Sequence, residues 1–432
     1  MSILIKNGHL VDPATGRDDI FHVYVNDKGV IEKIFDKDAK LPENPDELVN
    51  ACGKYVFPGF VDLHVHFRDP GLTYKETIKT GSLAAAHGGY TTVCTMPNTK
   101  PVIDSVEHLQ MELDTIKKDA VVNVLPIGSM TVGEDGKELS DLAGLKKAGI
   151  VAVSEDGKSV MDSVLLYRGL QKLKDLDLPF FDHCEDKPLV RGGVMNEGRR
   201  SHELGLPGIT DTVEDVIAAR DILLAREIGV TLHLCHVSTR ASVEMIRLAK
   251  EFDTKLSAEI CPHHFTLCDA DIPGDISNYK MNPPLRSRAD REALRRALGD
   301  GTVEMIATDH APHSDEEKQG GFMGTPFGIT GLETSFPLAV TELLGKYMTL
   351  PELIKRMSLA PAKLLKTGRG SLAEGSPADI VIADINEEYE IDPDTFLSKG
   401  HNTPFGGFKV RGKILATYCG GKKVYDDKEA RR

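Results

Sequence analysis

From residue 59 to 308 the chain repeats one texture eight times, a short apolar run followed in most cases by a segment of helical periodicity. The runs are 59–66, 91–96, 121–127, 150–154, 179–183, 230–236, 255–260 and 303–308. Helical spacing covers 74–87, 105–118, 160–173, 212–228 and 240–252 between them. Apolar runs alternating with helices build parallel sheets, because a parallel pair needs a crossover long enough to hold a helix. Eight such units in about 300 residues predict an α/β fold, a (β/α)8 TIM barrel.

The flanks read differently. Short β-rich runs occupy 3–6, 21–25 and 30–35, split by turn signals such as Asn7-Gly8 and Asp27-Lys28-Gly29. The same texture returns at 378–383, 408–410, 414–418 and 422–425. Neither piece is long enough to bury a core alone. The expected plan is therefore a composite β-sandwich from 1–58 and 365–432, with the barrel, 59–364, inserted between its halves.

Composition closes off other classes. A net charge of −14, with no basic stripe, argues against a nucleic-acid surface. No apolar stretch reaches the ~18 residues of a membrane span, and the N-terminus lacks the layout of a secretory signal. The seven cysteines are odd in number and include no CxxC pair, so they are expected to be reduced and to pack as small hydrophobes. A cytoplasmic location is expected.

Out-of-place polar residues gather where the predicted strands end. The first strand ends in Asp62-Leu63-His64-Val65-His66, and the fourth runs into Asp156. His183, His236 and Asp309 close the fifth, sixth and eighth. In a barrel those ends open onto one face, where catalytic groups collect. His64 and His66, two apart on a strand, project to the same side. Imidazole with carboxylate suits Zn2+, and also Mn2+, Co2+ or Fe2+. Six donors exceed one open catalytic zinc and suit two ions about 3.5–4 Å apart. Taken singly, each residue has a bland alternative: a polar pair at His64 and His66, a core histidine at His183, turn chemistry at Asp156, a helix cap at Asp309. For the set to be structural, five strand ends would have to mislead together.

These residues lie in recognisable motifs. Asp62-Leu63-His64-Val65-His66-Phe67-Arg68-Asp69-Pro70-Gly71 resembles the first-strand motif of the amidohydrolase superfamily in its dihydroorotase form. Thr95-Met96-Pro97-Asn98-Thr99, Asp182-His183-Cys184-Glu185-Asp186 and Cys235-His236-Val237-Ser238-Thr239 are similar to later motifs of that family. So are Met281-Asn282-Pro283-Pro284-Leu285-Arg286 and Ala307-Thr308-Asp309-His310-Ala311-Pro312-His313. The resemblance runs from about Ile3 to Tyr425 and is nearest the long-chain, class I bacterial type.

It implies that His64, His66, His183, His236 and Asp309 bind zinc, two ions per subunit, with Asp156 as the bridging group. Related hydantoinases, allantoinases and the other dihydroorotase class hold a carboxylated lysine there; Glu155 is the lesser candidate for the place. Arg68, Asn98, Asn282 and His313 match positions that hold the substrate carboxylate and ring amide, and Phe327 and Gly328 match further substrate contacts. Independently, an Arg fork fits a carboxylate and an Asn both donates to and accepts from a cyclic amide. A surface ion pair for Arg68 and a loop turn for Asn98 are the alternatives. The glycine-rich stretch between His313 and Leu332 reads as a mobile cover or a plain surface loop. His263 and His264 read as orienting groups or as filler.

The implied activity is reversible hydrolysis of dihydroorotate to N-carbamoyl-aspartate in pyrimidine synthesis, with Asp309 carrying the proton. The alternatives are a hydantoinase, dihydropyrimidinase or allantoinase, or a non-catalytic scaffold that has lost its metals. A homodimer and a complex with aspartate transcarbamoylase are partners the resemblance allows.

Overall fold

The apolar runs become the strands of a parallel barrel. A computed structural model describes residues 1–252 and 254–430. Its first five strands, β1 (Ile3–Asp12), β2 (Arg17–Val25), β3 (Ile31–Asp36), β4 (Glu47–Asn50) and β5 (Tyr55–Pro58), precede the barrel. The barrel begins with β6 (Phe60–Val65), β7 (Tyr90–Thr95), β8 (Asn123–Ser129), β9 (Ala152–Ser154) and β10 (Phe180–Asp182). A two-stranded parallel pair follows, β11 (Met195–Asn196) with β12 (Gly208–Ile209), and β13 (Leu232–Leu234), β14 (Leu256–Ile260) and β15 (Met305–Ile306) complete the barrel. Its order is β15-β14-β13-β10-β9-β8-β7-β6. The seam between β15 and β6 is closed by a parallel bridge from Val65 to His310. Asp62 also accepts from the Thr308 amide and hydroxyl at 3.1 and 2.6 Å there.

All eight predicted runs hold a barrel strand; six are trimmed, while β7 starts one residue before its run and β8 continues two residues beyond it. The predicted helix over 74–87 instead begins at Ile78, because the Thr77 hydroxyl accepts from the Thr80 amide and starts it there. Tyr74 and Lys75 are thereby left in a loop, where both reach Glu317. The helix Thr212–Ile228 keeps its predicted bounds and ends at Gly229, whose φ of +78° lets the chain turn away.

The remaining strands, β16 (Ile380–Glu390), β17 (Lys409–Cys419) and β18 (Lys422–Asp426), come from the far end of the chain. They join the first strands in one sheet of order β18-β17-β16-β5-β1-β2-β3, with β4 beside β1. The link is β5, four residues long, parallel to β1 (Leu10 against Val56) and antiparallel to β16 (Ile382 against Val56). Ile3, Ile5, Val23, Val56, Ile380 and Ile382 pack together in that sheet's own core. Two separate strands were expected at 408–410 and 414–418; they join as the single strand β17, whose register against β16 shifts beside Gly412, at φ +99°.

All seven cysteines are free. Five are buried, as expected of small hydrophobes; Cys52 is exposed and Cys419 half-buried. Among the described residues no helix is long and apolar enough to cross a membrane.

Candidate active site

The strand ends bring the polar residues into one buried cluster at the barrel mouth. Asp156, just past β9, has Oδ1 3.2 Å from His64 Nε2 and Oδ2 3.5 Å from His66 Nε2. The same Oδ1 lies 3.8 Å from His183 Nδ1 and 3.9 Å from His236 Nε2. Asp309 Oδ1 approaches His66 Nε2 at 3.1 Å and His64 Nε2 at 3.6 Å. His183 and His236 face each other, with ring nitrogens 2.8 Å apart. Three of the residues around the mouth take left-handed backbone: Arg68 (φ +59°), His236 (+35°) and Asp309 (+48°). Non-glycine residues are held there only where the surroundings over-determine them, and such strain gathers at functional sites.

The electrostatics of the cluster are one-sided. Burial opposes charge on Asp156, yet His64 and His236 beside it hold its carboxyl well below the ordinary range. Burial likewise disfavours a charged His64, but Asp156 keeps its proton affinity well above normal. Such a cluster is short of positive charge. Among the described residues His64 Nε2, Asp156 Oδ1 and His236 Nδ1 are buried and have no hydrogen-bond partner. Buried polar atoms are otherwise almost always paired. His64, Asp156 and His236 form one group of donors close enough to hold an ion; His64, His66 and Asp309 form another. Imidazole nitrogen with carboxylate oxygen is a divalent-metal donor set, so the residues present fit a metal.

A cavity of about 410 Å³ opens above the cluster. His66, Asp156, His183, His236 and Asp309 form its floor, and Arg68, Asn98, Asn282, Phe327 and Gly328 line its walls. His64 lies fully buried beneath. Asn98 also braces the floor, with its Oδ1 2.9 Å from His66 Nδ1 and its amide nitrogen donating to Asp156 Oδ2 at 3.0 Å. The Asn282 amide donates to Glu185 and lies 3.4 Å from His183 Nε2. Arg68 donates to the Pro312 carbonyl at 3.3 Å, with a guanidinium nitrogen 3.5 Å from His313 Nε2.

His313 stands behind Arg68 rather than on the cavity wall. Its Nε2 lies 2.8 Å from the Phe327 carbonyl and its Nδ1 3.3 Å from the Lys75 ammonium. Burial, with the Arg68 and Lys75 charges, pulls this imidazole down to about 3. Nε2 faces an oxygen that can only accept, and Nδ1 faces both the Lys75 ammonium and, at 3.3 Å, the Glu317 carboxylate.

Glu155 is turned away from the cluster. Its carboxylate accepts from Ser129 and from the amide and hydroxyl of Thr131, so Asp156 alone of the pair faces the histidines. His264 donates from Nε2 to the Pro283 carbonyl at 3.0 Å, which ties it to the turn after Asn282. Sequence reasoning missed Glu185 and Lys187, paired at 2.7 Å on the cavity wall, and Glu259 beneath His64. A signal for Glu259 existed: a lone carboxylate inside the apolar run Leu256-Ser257-Ala258-Glu259-Ile260 is buried and therefore paired.

A parallel eight-stranded barrel with clustered His and Asp donors at its C-terminal mouth defines the class, the metal-dependent amidohydrolases. The sequence profile of the Dihydro-orotase-like family matches residues 53–242. A dihydroorotase of Ligilactobacillus salivarius (strain UCC118) is 48% identical over 431 residues, 99% of this chain and 100% of that protein. One from Geobacillus sp. (strain WCH70) is 48% identical over 384 residues, 89% of this chain and 90% of that protein. The chain belongs to the dihydroorotase family. A solved L-hydantoinase (dihydropyrimidinase) from Arthrobacter aurescens superposes with a TM-score of 0.87 at 24% identity, covering 98% of this chain and 96% of that one. That likeness is one of fold.

Proposed function

We propose that this chain is a dihydroorotase of the class I bacterial type, interconverting (S)-dihydroorotate and N-carbamoyl-L-aspartate in pyrimidine synthesis. The observation that carries the reading is the pair His64 Nε2 and Asp156 Oδ1, buried 3.2 Å apart without a hydrogen-bond partner among the described residues, Asp156 on the floor of a cavity whose wall carries Arg68 and His64 just beneath it. Relatives of that name, 46–48% identical over nearly the whole chain, support it. The subtype rests on Asp156, where the related enzymes hold a carboxylated lysine.

His64, His66, Asp156, His183, His236 and Asp309 would hold the metal, two zinc ions in this reading. When bound, the ions supply Lewis acidity at a carbonyl and a water acidified toward neutral pH. The chain's own groups do the rest. Arg68 forks onto the substrate carboxylate, and Asn98 and Asn282 pair with the ring amide. His313, locked behind Arg68, fixes the fork and the Phe327 carbonyl. Water adds to the ring carbonyl carbon, the carbon–nitrogen bond breaks, and Asp309 passes the water's proton to the departing nitrogen. In the reverse direction Asp309 takes that proton back.

A hydantoinase reading loses ground because Asp156 replaces the lysine and Arg68 suits a carboxylated ring. A metal-free scaffold loses ground because all six donors are present. The same reading divides the chain into 1–58 with 365–432, and 59–364. It places the enzyme in the cytoplasm, which the free thiols support. It offers a second copy and aspartate transcarbamoylase as partners, to be tested by sedimentation of the chain alone and mixed. The test of function is turnover by zinc-loaded protein on L-dihydroorotate, dihydrouracil, hydantoin and allantoin. Preference for dihydroorotate is expected; activity on the uncharged rings alone refutes the substrate, and inactivity with metal bound refutes the enzyme.

A further inference from the structure

The segment 318–328 leads to the cavity wall at Phe327 and Gly328 with few side chains of its own to pack, since Gly320, Gly321, Gly324 and Gly328 all fall in it. Backbone carbonyls in such a segment still need donors when water is excluded. Two buried lysines, Lys280 and Lys318, only 4% and 7% exposed, supply them. Among the described residues neither has a carboxylate within ion-pair distance. Lys318 Nζ donates to the carbonyls of Gly328 at 3.0 Å, Pro326 at 3.1 Å and Lys280 at 3.4 Å, which uses all three of its N–H groups. Lys280 Nζ donates to the carbonyls of Phe322 at 2.6 Å and Thr325, and sits 4.3 Å from the Phe327 ring centroid. The Lys280 carbonyl in turn accepts from the Gly328 amide at 3.0 Å.

An unpaired buried ammonium is costly, so two side by side call for a reason beyond packing. Burial and the Lys280 charge pull Lys318 down to about 7. The carbonyl oxygens around it act the other way, because the charged form alone can serve all three. What the pair fixes is the stretch that presents Phe327 and Gly328 to the cavity. Resting on the dihydroorotase reading, we infer that Lys280 and Lys318 are positioning residues that hold Phe327 and Gly328 in their substrate-contacting place, and so set substrate affinity without touching substrate.

The experiment compares metal-loaded full-length Lys280→Met and Lys318→Met with the parent protein on L-dihydroorotate. A positioning role predicts KM raised about tenfold or more, with kcat within about threefold and metal content unchanged. It also predicts faster proteolytic nicking between 314 and 328. Unchanged KM in folded, metal-loaded variants overturns the inference, as does a loss confined to kcat. Hydrogen exchange on the unmutated protein covers the case in which a variant fails to fold: the Gly328 amide must exchange slowly, and fast exchange overturns the anchoring. If the parent protein does not turn over dihydroorotate, the functional reading fails, while nicking and exchange still decide whether the lysines hold the segment.

Discussion

Glu259 lies between two imidazoles, one carboxylate oxygen 3.2 Å from His64 Nδ1 and the other 2.9 Å from His233 Nε2. All three side chains are fully buried, and His233 continues the chain to Ser257 at 2.8 Å. A carboxylate on Nδ1 fixes that nitrogen as the donor and leaves Nε2, facing Asp156, as the free lone pair. Such partners orient metal-ligating histidines and are worth about 10–100-fold in metal affinity. Glu259→Gln keeps the shape but presents His64 with a weaker acceptor. Zinc affinity, read by competition with a chromophoric chelator, is expected to fall by about that factor. Parental affinity in the variant would remove Glu259 from the role.

Gly328 is confined from two sides. Its φ of +131° is open to glycine and strained for any other residue, and an added Cβ would lie 2.8 Å from the Ala311 side chain and carbonyl and 3.0 Å from His313 Nε2. Gly328→Ala must shift backbone at the cavity wall, at a cost of about 1–3 kcal/mol. The expected result is a lower melting temperature together with a kcat/KM reduced by about tenfold or more. A variant matching the parent in both would mean that the segment moves freely.

The barrel was legible because its strands are buried on both faces and so stand out as apolar runs, and because its ligands interrupt those runs with His and Asp. The composite sheet was half legible. Its β-rich runs and turn signals were visible at both ends of the chain, but β5 is four residues ending in Pro58, and its place between β1 and β16 depends on tertiary pairing that no local pattern announces. In the site, Arg68, Asn98 and Asn282 carried motifs and line the cavity, while Lys187 on its wall and Glu259 beneath His64 carried none. Nothing in the sequence marks Lys280 and Lys318; only the fold surrounds them with carbonyls. His313 shows the reverse: the motif marked the residue, and only the structure places it behind Arg68.

Glu112 gives the stability a pH dependence remote from the metal cluster. It is 1% exposed, its Oε1 accepts from the Thr95 hydroxyl at 2.6 Å and its Oε2 has no partner. Burial raises its carboxyl to about 8. Between its unfolded value of about 4.3 and about 8, the folded state binds the extra proton, so stability falls as pH rises through that window. Glu112→Gln removes the titration. The variant's melting temperature minus the parent's is expected to climb between pH 5 and pH 9; a flat difference refutes the assignment.

Asp309 and Asp156 lie on the same cavity floor, and the proposed reaction gives them separable failures. Asp156 stands within 3.9 Å of four imidazoles, so Asp156→Asn should first lose metal, measured as zinc per chain after dialysis. Among the described residues Asp309 makes ion-pair contacts with His66 and His64, through one oxygen, and its proposed work is proton transfer. Asp309→Asn should therefore keep much of its metal and lose about 10²–10⁴-fold in kcat, the range expected for removing a general acid–base group. If Asp309→Asn loses metal and activity in parallel, the residue is a ligand only and the proton carrier must be sought elsewhere. If it keeps both, Asp309 has no part in the chemistry.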